Sequence, residues 1–136
     1  MSKSLQRVIA TAEKMGLQIE AIKMDVPTNT ALQAAEAIGA NVHQIAKSVV
    51  FRGQASDRAF LFLTAGGNRV DVKRASTLAE EPLGKADAAY IRGKTGFAIG
   101  GVSPIGHIGP VSIFWDETLS RFDEIWAAAG TPHHIG

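Results

Sequence analysis

The chain has 136 residues, 46% of them hydrophobic and 20% charged, with a net charge of +1 and no cysteine. This length fits one domain, taken as residues 1–136, with a real core; the missing cysteine excludes disulfides, thiolate metal sites and a thiol nucleophile. A near-neutral balance leaves room for a local nucleic-acid contact but not for polyanion binding over the whole surface. No run approaches the roughly 18 apolar residues of a membrane span, and "MSKSLQRVIATAEKMG" lacks the apolar core of a secretion signal. A cytoplasmic protein with no membrane partner is expected.

Leu5, Val8, Ile9, Ala12 and Met15 recur at helical spacing and form one amphipathic face, stopped by Gly16. "LQIEAIKM" reads as a strand, broken by Pro27. Thr30 and Gln33 have the spacing of a capping box for a helix over Ala31–Ile38, closed by Gly39. "IAKSVVFR" and "AFLFLT" are β-branched and aromatic runs on either side of a polar "GQASD", the pattern of an antiparallel hairpin. "AFLFLT" is apolar on both faces, so it should be a central strand covered on both sides. "DVKRASTLAEE" and "KADAAYIRG" read as helices, punctuated by Pro82 and Gly84. Strand character in "FAI" up to Ile99 leads into a glycine-rich stretch, followed by strands "VSIFW" and "FDEIWAA" joined by "DETLSR". Helix and strand are mixed without repeats or linkers, which predicts an α+β, mixed α/β, single domain.

Lys47 stands out first. Strand parity puts it in register with Ile45, Val49 and Phe51, an apolar set. Either it snorkels to water on its long stem or it lines a pocket whose ligand holds the charge. "RGKTG" resembles the tail of a phosphate-binding loop, but Ala88 stands where that pattern needs glycine, so Gly93 is read as a helix cap instead. His43, His107, His133 and His134 have no metal-site spacing, and neither metal nor cofactor is expected. Asp116, Glu117, Asp123 and Glu124 read as solvated faces, and no Ser–His–Asp set can be assigned. Trp115 and Trp126 read as core or edge aromatics. Basic residues gather at Arg69, Lys73 and Arg74 and again at Lys85, Arg92 and Lys94. In "IGGVSPIGHIGP", residues 99–110, glycine allows close backbone approach and Pro104 stiffens the turn. Such a loop either reverses the chain or aims successive N–H groups at a ligand.

"IAKSVVF", "DVKR", "GGVSPIGH" and "FDEIWAAAGTPH" occur in the order seen in the YbaK/ProX family of aminoacyl-tRNA deacylases, relatives of the editing domain of bacterial prolyl-tRNA synthetases, and the chain resembles that family over nearly its whole length. The resemblance implies a curved, mixed, mostly antiparallel sheet flanked by helices. It also implies hydrolysis of the ester that joins a wrong, small amino acid (alanine, cysteine or serine) to tRNA-Pro or a related tRNA. The family's pocket lysine maps to Lys47, its GxxxP loop to Gly100, Gly101, Val102, Ser103 and Pro104, and the motif's terminal histidine to His107. A late histidine maps to His133. Lys47, Gly101 and His133 are the expected catalytic positions; Gly100, Val102, Ser103, Pro104, His107 and Ser48 are expected to bind substrate. Ser48 stands where some members carry Asn or Thr, which leaves the accepted amino acid open. The implied partner is the acceptor end of aminoacyl-tRNA, with a synthetase or elongation factor as a further associate and a monomer or homodimer as the assembly. The family pattern runs on past "GTPH" with a strand and a helix, so a shortened C-terminus is expected. A non-catalytic nucleic-acid-binding module and an inactive paralogue are the competing readings.

Overall fold

The computed structural model describes residues 3–17, 22–23, 31–130 and 134–135. Its centre is the predicted hairpin: β2 (Ile45–Gly53) pairs antiparallel with β3 (Ala59–Ala65), with Lys47 opposite Thr64 and Val49 opposite Phe62. Every residue of β3 is buried, as a strand apolar on both faces must be. On its far side β3 pairs in parallel with β5 (Val111–Trp115). On the outer side of β2 lie two short strands. β4 (Leu83–Lys85) runs antiparallel to the end of β2, and β6 (Trp126–Ala127) runs parallel to its start. The sheet is therefore mixed, with order β4-β2-β3-β5 and β6 appended to β2. A separate ribbon joins β1 (Ile22–Lys23) to β7 (His134–Ile135).

Alternation divides the side chains between two layers. One face carries Val49, Phe51, Phe60, Phe62 and Phe114, covered by α3 (Val72–Ala79) through Ala75 and Ala79. Phe62 stacks on Phe114 at 5.0 Å between ring centroids, and Phe51 meets Phe62 edge-on at 5.7 Å. The other face carries Ala46, Leu61, Leu63 and Ala65. It is covered by Val8 of α1 (Lys3–Lys14), Ile91 of α4 (Ala88–Thr95), Phe97 just ahead of the glycine-rich stretch and Val102 within it. A smaller cluster joins α2 (Ala31–Ile38) to Ile45 through Ala34 and Ala35.

Several expected elements shift. Leu5, Val8 and Ala12 are the buried stripe of α1, but Met15 lies past the helix end and is 57% exposed. Most of "LQIEAIKM" and the Thr30 half of the expected capping box lie outside the described residues. A capping box does form beyond the end of α2, where Asn41 and Gln44 cap a 3-10 turn at Val42–Gln44. Lys85 is in β4 rather than in a helix. α4 continues through Gly93 and ends at Gly96, whose φ of 82° is the left-handed conformation a helix C-cap needs. "FAI" is not a strand, and "DETLSR" is mostly a 3-10 turn at Glu117–Arg121, with only Trp126 and Ala127 of "FDEIWAA" in the sheet.

Candidate functional site

Lys47 sits near the start of β2, half-buried, on the face shared with Val49 and Phe51 as parity requires. Its ammonium donates to the main-chain carbonyl of Asn68. Among the described residues no carboxylate pairs with it. An ammonium carries three donors and one is used, so the charge and two N–H groups remain for a ligand.

The carbonyl is held in place from behind. Asn68 closes the turn after β3, its N–H bonded to the Ala65 carbonyl at 2.8 Å. Its side-chain amide donates to Asp116 Oδ2 at 2.9 Å and to Thr118 Oγ1 at 3.1 Å. Asp116 also accepts the N–H of Ala65 at 3.0 Å and of Thr118 at 2.9 Å. Burial pushes the Asp116 carboxyl up, but donation by Asn68, by the two N–H groups and by the Thr118 hydroxyl outweighs it and holds the pKa down at about 2. The expectation that Asp116 is merely solvated is corrected: it is the anchor of this turn. The paired glycines before Asn68 have a steric cause. A Cβ on Gly66 would collide with the Val42 carbonyl, and one on Gly67 with the His43 ring.

The glycine-rich stretch is fastened differently. Phe97 is fully buried, with the Arg7 guanidinium 4.6 Å from its ring centre and His107 edge-on at 5.9 Å. Arg7 reaches from α1 to donate to the carbonyls of Gly106 at 2.7 Å and Gly96 at 3.0 Å. His107 Nε2 lies 2.7 Å from the Ser103 carbonyl; a carbonyl can only accept, so this nitrogen carries the proton in the neutral ring. Burial pushes the His107 pKa down, the Ser103 carbonyl pulls it back, and the Arg7 charge adds to the lowering. Ser103 Oγ accepts the N–H of Ile105 at 3.2 Å, an ST-turn that shapes the loop.

Gly100 has φ 84° and is exposed, whereas Gly101, Val102 and Ser103 are buried and Pro104 is half-buried. The N–H of Gly101, expected to face a ligand, is already bonded to the Ala98 carbonyl at 2.9 Å. No such bond engages the N–H of Val102 or Ser103 among the described residues. Pro104 has no N–H, so these two are the loop's remaining adjacent donors.

Ser48 lies on the opposite face from Lys47, across from Leu63, and its buried Oγ has no hydrogen-bond partner among the described residues. That is the face on which Val102 packs. The fold thus brings Ser48, Val102, Ser103 and His107 to one side of the sheet and Lys47 to the other. His133 lies outside the described residues. Among the described residues there is no cluster of three or more His, Asp or Glu able to hold a metal, and no helix long and apolar enough to cross a membrane.

The model of the aminoacyl-tRNA editing domain family matches residues 25–135, which takes in both Lys47 and the loop. The chain belongs to the aminoacyl-tRNA editing domain family. The resemblance to YbaK-like deacylases read from the motifs is borne out, and so is the α+β fold. This editing domain is 43% identical to a candidate trans-editing enzyme for prolyl tRNA synthetase of known crystal structure, with a TM-score of 0.90 over 99% of this chain and 85% of that one. A scaffold protein solved in work on epitope backbone grafting is 39% identical, with a TM-score of 0.89 over 99% of this chain and 86% of that one. The uncharacterized protein YwhH of Bacillus subtilis (strain 168) is 29% identical over 128 residues, 94% of this chain and 81% of that protein.

Arg7, Asn68, Asp116 and Thr118 are the site residues that motif reading passes over. Asn68 follows a double glycine, which marks a tight turn, but nothing local shows that its carbonyl meets a lysine 21 residues earlier.

Proposed function

We propose that this editing domain is a free-standing hydrolase of mischarged aminoacyl-tRNA, specific for a small amino acid such as alanine, cysteine or serine on tRNA-Pro or a related tRNA. The observation that carries this is the Lys47 ammonium, fixed by one carbonyl at the sheet's end and without a paired carboxylate among the described residues. A cation held this way suits the phosphate or ribose side of the terminal adenosine as a point charge. The N–H groups of Val102 and Ser103, unpaired among the described residues, supply donors for the ester carbonyl oxygen as it becomes negative. Because Lys47 and the loop belong to opposite faces, the aminoacyl end lies across the sheet's end rather than on one face. Water adds to the ester carbonyl and the bond to the ribose oxygen breaks. That oxygen takes up a proton, and free amino acid and tRNA leave. The Ser48 hydroxyl, without a partner among the described residues, and the apolar side chains beside Val102 form the wall that limits amino-acid size, as an editing sieve does. The resemblance to the candidate trans-editing enzyme supports this reading. This reading has the protein act in the cytoplasm, where tRNA is charged.

The test is release of amino acid from tRNAs mischarged with alanine, cysteine and serine, incubated with the wild-type protein. Turnover of at least one is expected. Folded protein that turns over none of them would remove the hydrolase reading.

A further inference from the structure

Beside the Lys47 corner runs an open groove of about 660 Å³, formed by the C-terminal ends of β3 and β5 and by α3 with the turn before it. The size is that of a small-ligand cleft. It adjoins the corner directly: its lining includes Thr64, the cross-strand partner of Lys47, and Asn68, whose carbonyl holds the lysine. Two arginines, Arg69 and Arg74, line it, and the neighbouring Lys73 is exposed on the same helix. None of these three cations has an ion-pair partner among the described residues.

The groove's two carboxylates, Asp71 and Asp116, make no ion pair with them among the described residues. Asp71 accepts the N–H groups of Lys73 and Arg74 as the cap of α3. Asp116 is occupied by Ala65, Asn68 and Thr118. Both acids are engaged by donors of the protein, while the two guanidinium groups, unpaired among the described residues, are open to an outside anion. Trp115, 61% exposed on the edge strand, also lines the groove and offers an aromatic surface. Unpaired guanidinium groups beside an exposed aromatic are the combination that binds single-stranded nucleic acid, by phosphate contact and base stacking. An ordinary solvated helix face would not need a concave, arginine-lined approach to the site's key lysine.

We propose that this groove takes the sugar-phosphate strand of the RNA whose aminoacylated 3′ end reaches Lys47, with Arg69 and Arg74 on successive phosphates. The inference rests on the deacylase reading for the identity of the strand. It extends that reading from the reacting ester to the nucleotides before it.

The experiment has two arms. The first measures binding of uncharged tRNA, and its salt dependence, for wild type, Arg69→Glu/Arg74→Glu, Arg69→Lys/Arg74→Lys and Trp115→Ala. The second measures hydrolysis of a short aminoacyl-adenosine ester and of the full mischarged tRNA. Charge reversal is expected to weaken tRNA binding about 10-fold or more and to flatten the log–log salt slope by about 1.4, at ~0.7 per single-strand phosphate contact. The lysine pair should keep most of the affinity, and Trp115→Ala should lose about 5-fold. Hydrolysis of the short ester should not change in the charge-reversed protein, while KM for full mischarged tRNA rises. Equal tRNA affinity and salt slope in wild type and the charge-reversed protein would overturn the groove assignment. Wild-type protein inert toward both esters would instead remove the deacylase reading, and the binding arm would still decide the groove.

Discussion

The two halves of the candidate site are held by different physics. The Lys47 corner is a relay of hydrogen bonds: Asp116 and Thr118 hold the Asn68 amide, and the Asn68 carbonyl holds the ammonium. The glycine-rich loop is held by packing, with Phe97 and Val102 sunk into the core and the single cation Arg7 drawn across two carbonyls. A relay positions a charge closely but contributes little net stability, since each bond replaces one to water. A packed loop contributes stability, and its donors are positioned as a by-product. Substitutions in the corner should therefore cost activity, and substitutions in the loop's footing should cost the fold.

Phe97→Ala should give the largest effect. It empties a fully buried ring site beneath Arg7 and His107. A loss of about 3–5 kcal/mol is expected from chemical denaturation; a loss below ~1 kcal/mol would mean that packing does not hold the loop. Asn68→Ala comes next, and it separates the two halves. The main-chain acceptor for Lys47 survives, but the amide that fixes the turn is gone. Single-turnover deacylation should slow about 10-fold, equivalent to ~1.4 kcal/mol of barrier. Its thermal midpoint should fall less than that of Phe97→Ala.

The smallest effects are those of acid. In the fold burial keeps His107 below its ordinary pKa, so the unfolded chain takes up a proton that the folded one resists. That stability is fully present above the unfolded value of about 6.5 and is lost as pH falls toward the folded one. Asp116 acts in a lower window. Its contribution is present above about pH 4 and fades as the pH approaches its folded pKa of about 2. For a carboxylate still partly open to water this is on the order of 1 kcal/mol. Denaturation midpoints of wild type should decline in two steps, and His107→Gln should lack the first. A first step that survives the substitution would reassign it.

Much of this was legible in the chain itself. The hairpin and its buried partner strand follow from long runs with period two or continuous apolar character, and Lys47 is conspicuous because one parity rule sets it among apolar neighbours. The short pieces are not legible for the opposite reason. β4 and β6 have three and two residues, too few to show a period, and they exist because β2 offers them an edge. The end of α4 falls at Gly93 by sequence alone because either glycine could cap it; in the fold a Cβ at Gly93 would meet nothing, while Gly96 carries the positive φ. The Lys47 relay was hidden because a main-chain carbonyl can come from any residue type. Asp116 looked solvated because its partners are N–H and amide donors rather than a nearby base.

The central claim is that the Lys47 ammonium engages the aminoacyl end of tRNA. The most direct measurement is single-turnover deacylation of the preferred mischarged tRNA by wild type, Lys47→Arg and Lys47→Ala, with unfolding midpoints taken in parallel. Lys47→Ala should lose about 100-fold or more, equivalent to ~2.7 kcal/mol of barrier or more. Lys47→Arg should keep partial activity, and both should unfold at midpoints close to wild type. A Lys47→Ala protein that stays folded and deacylates at the wild-type rate would contradict the central claim.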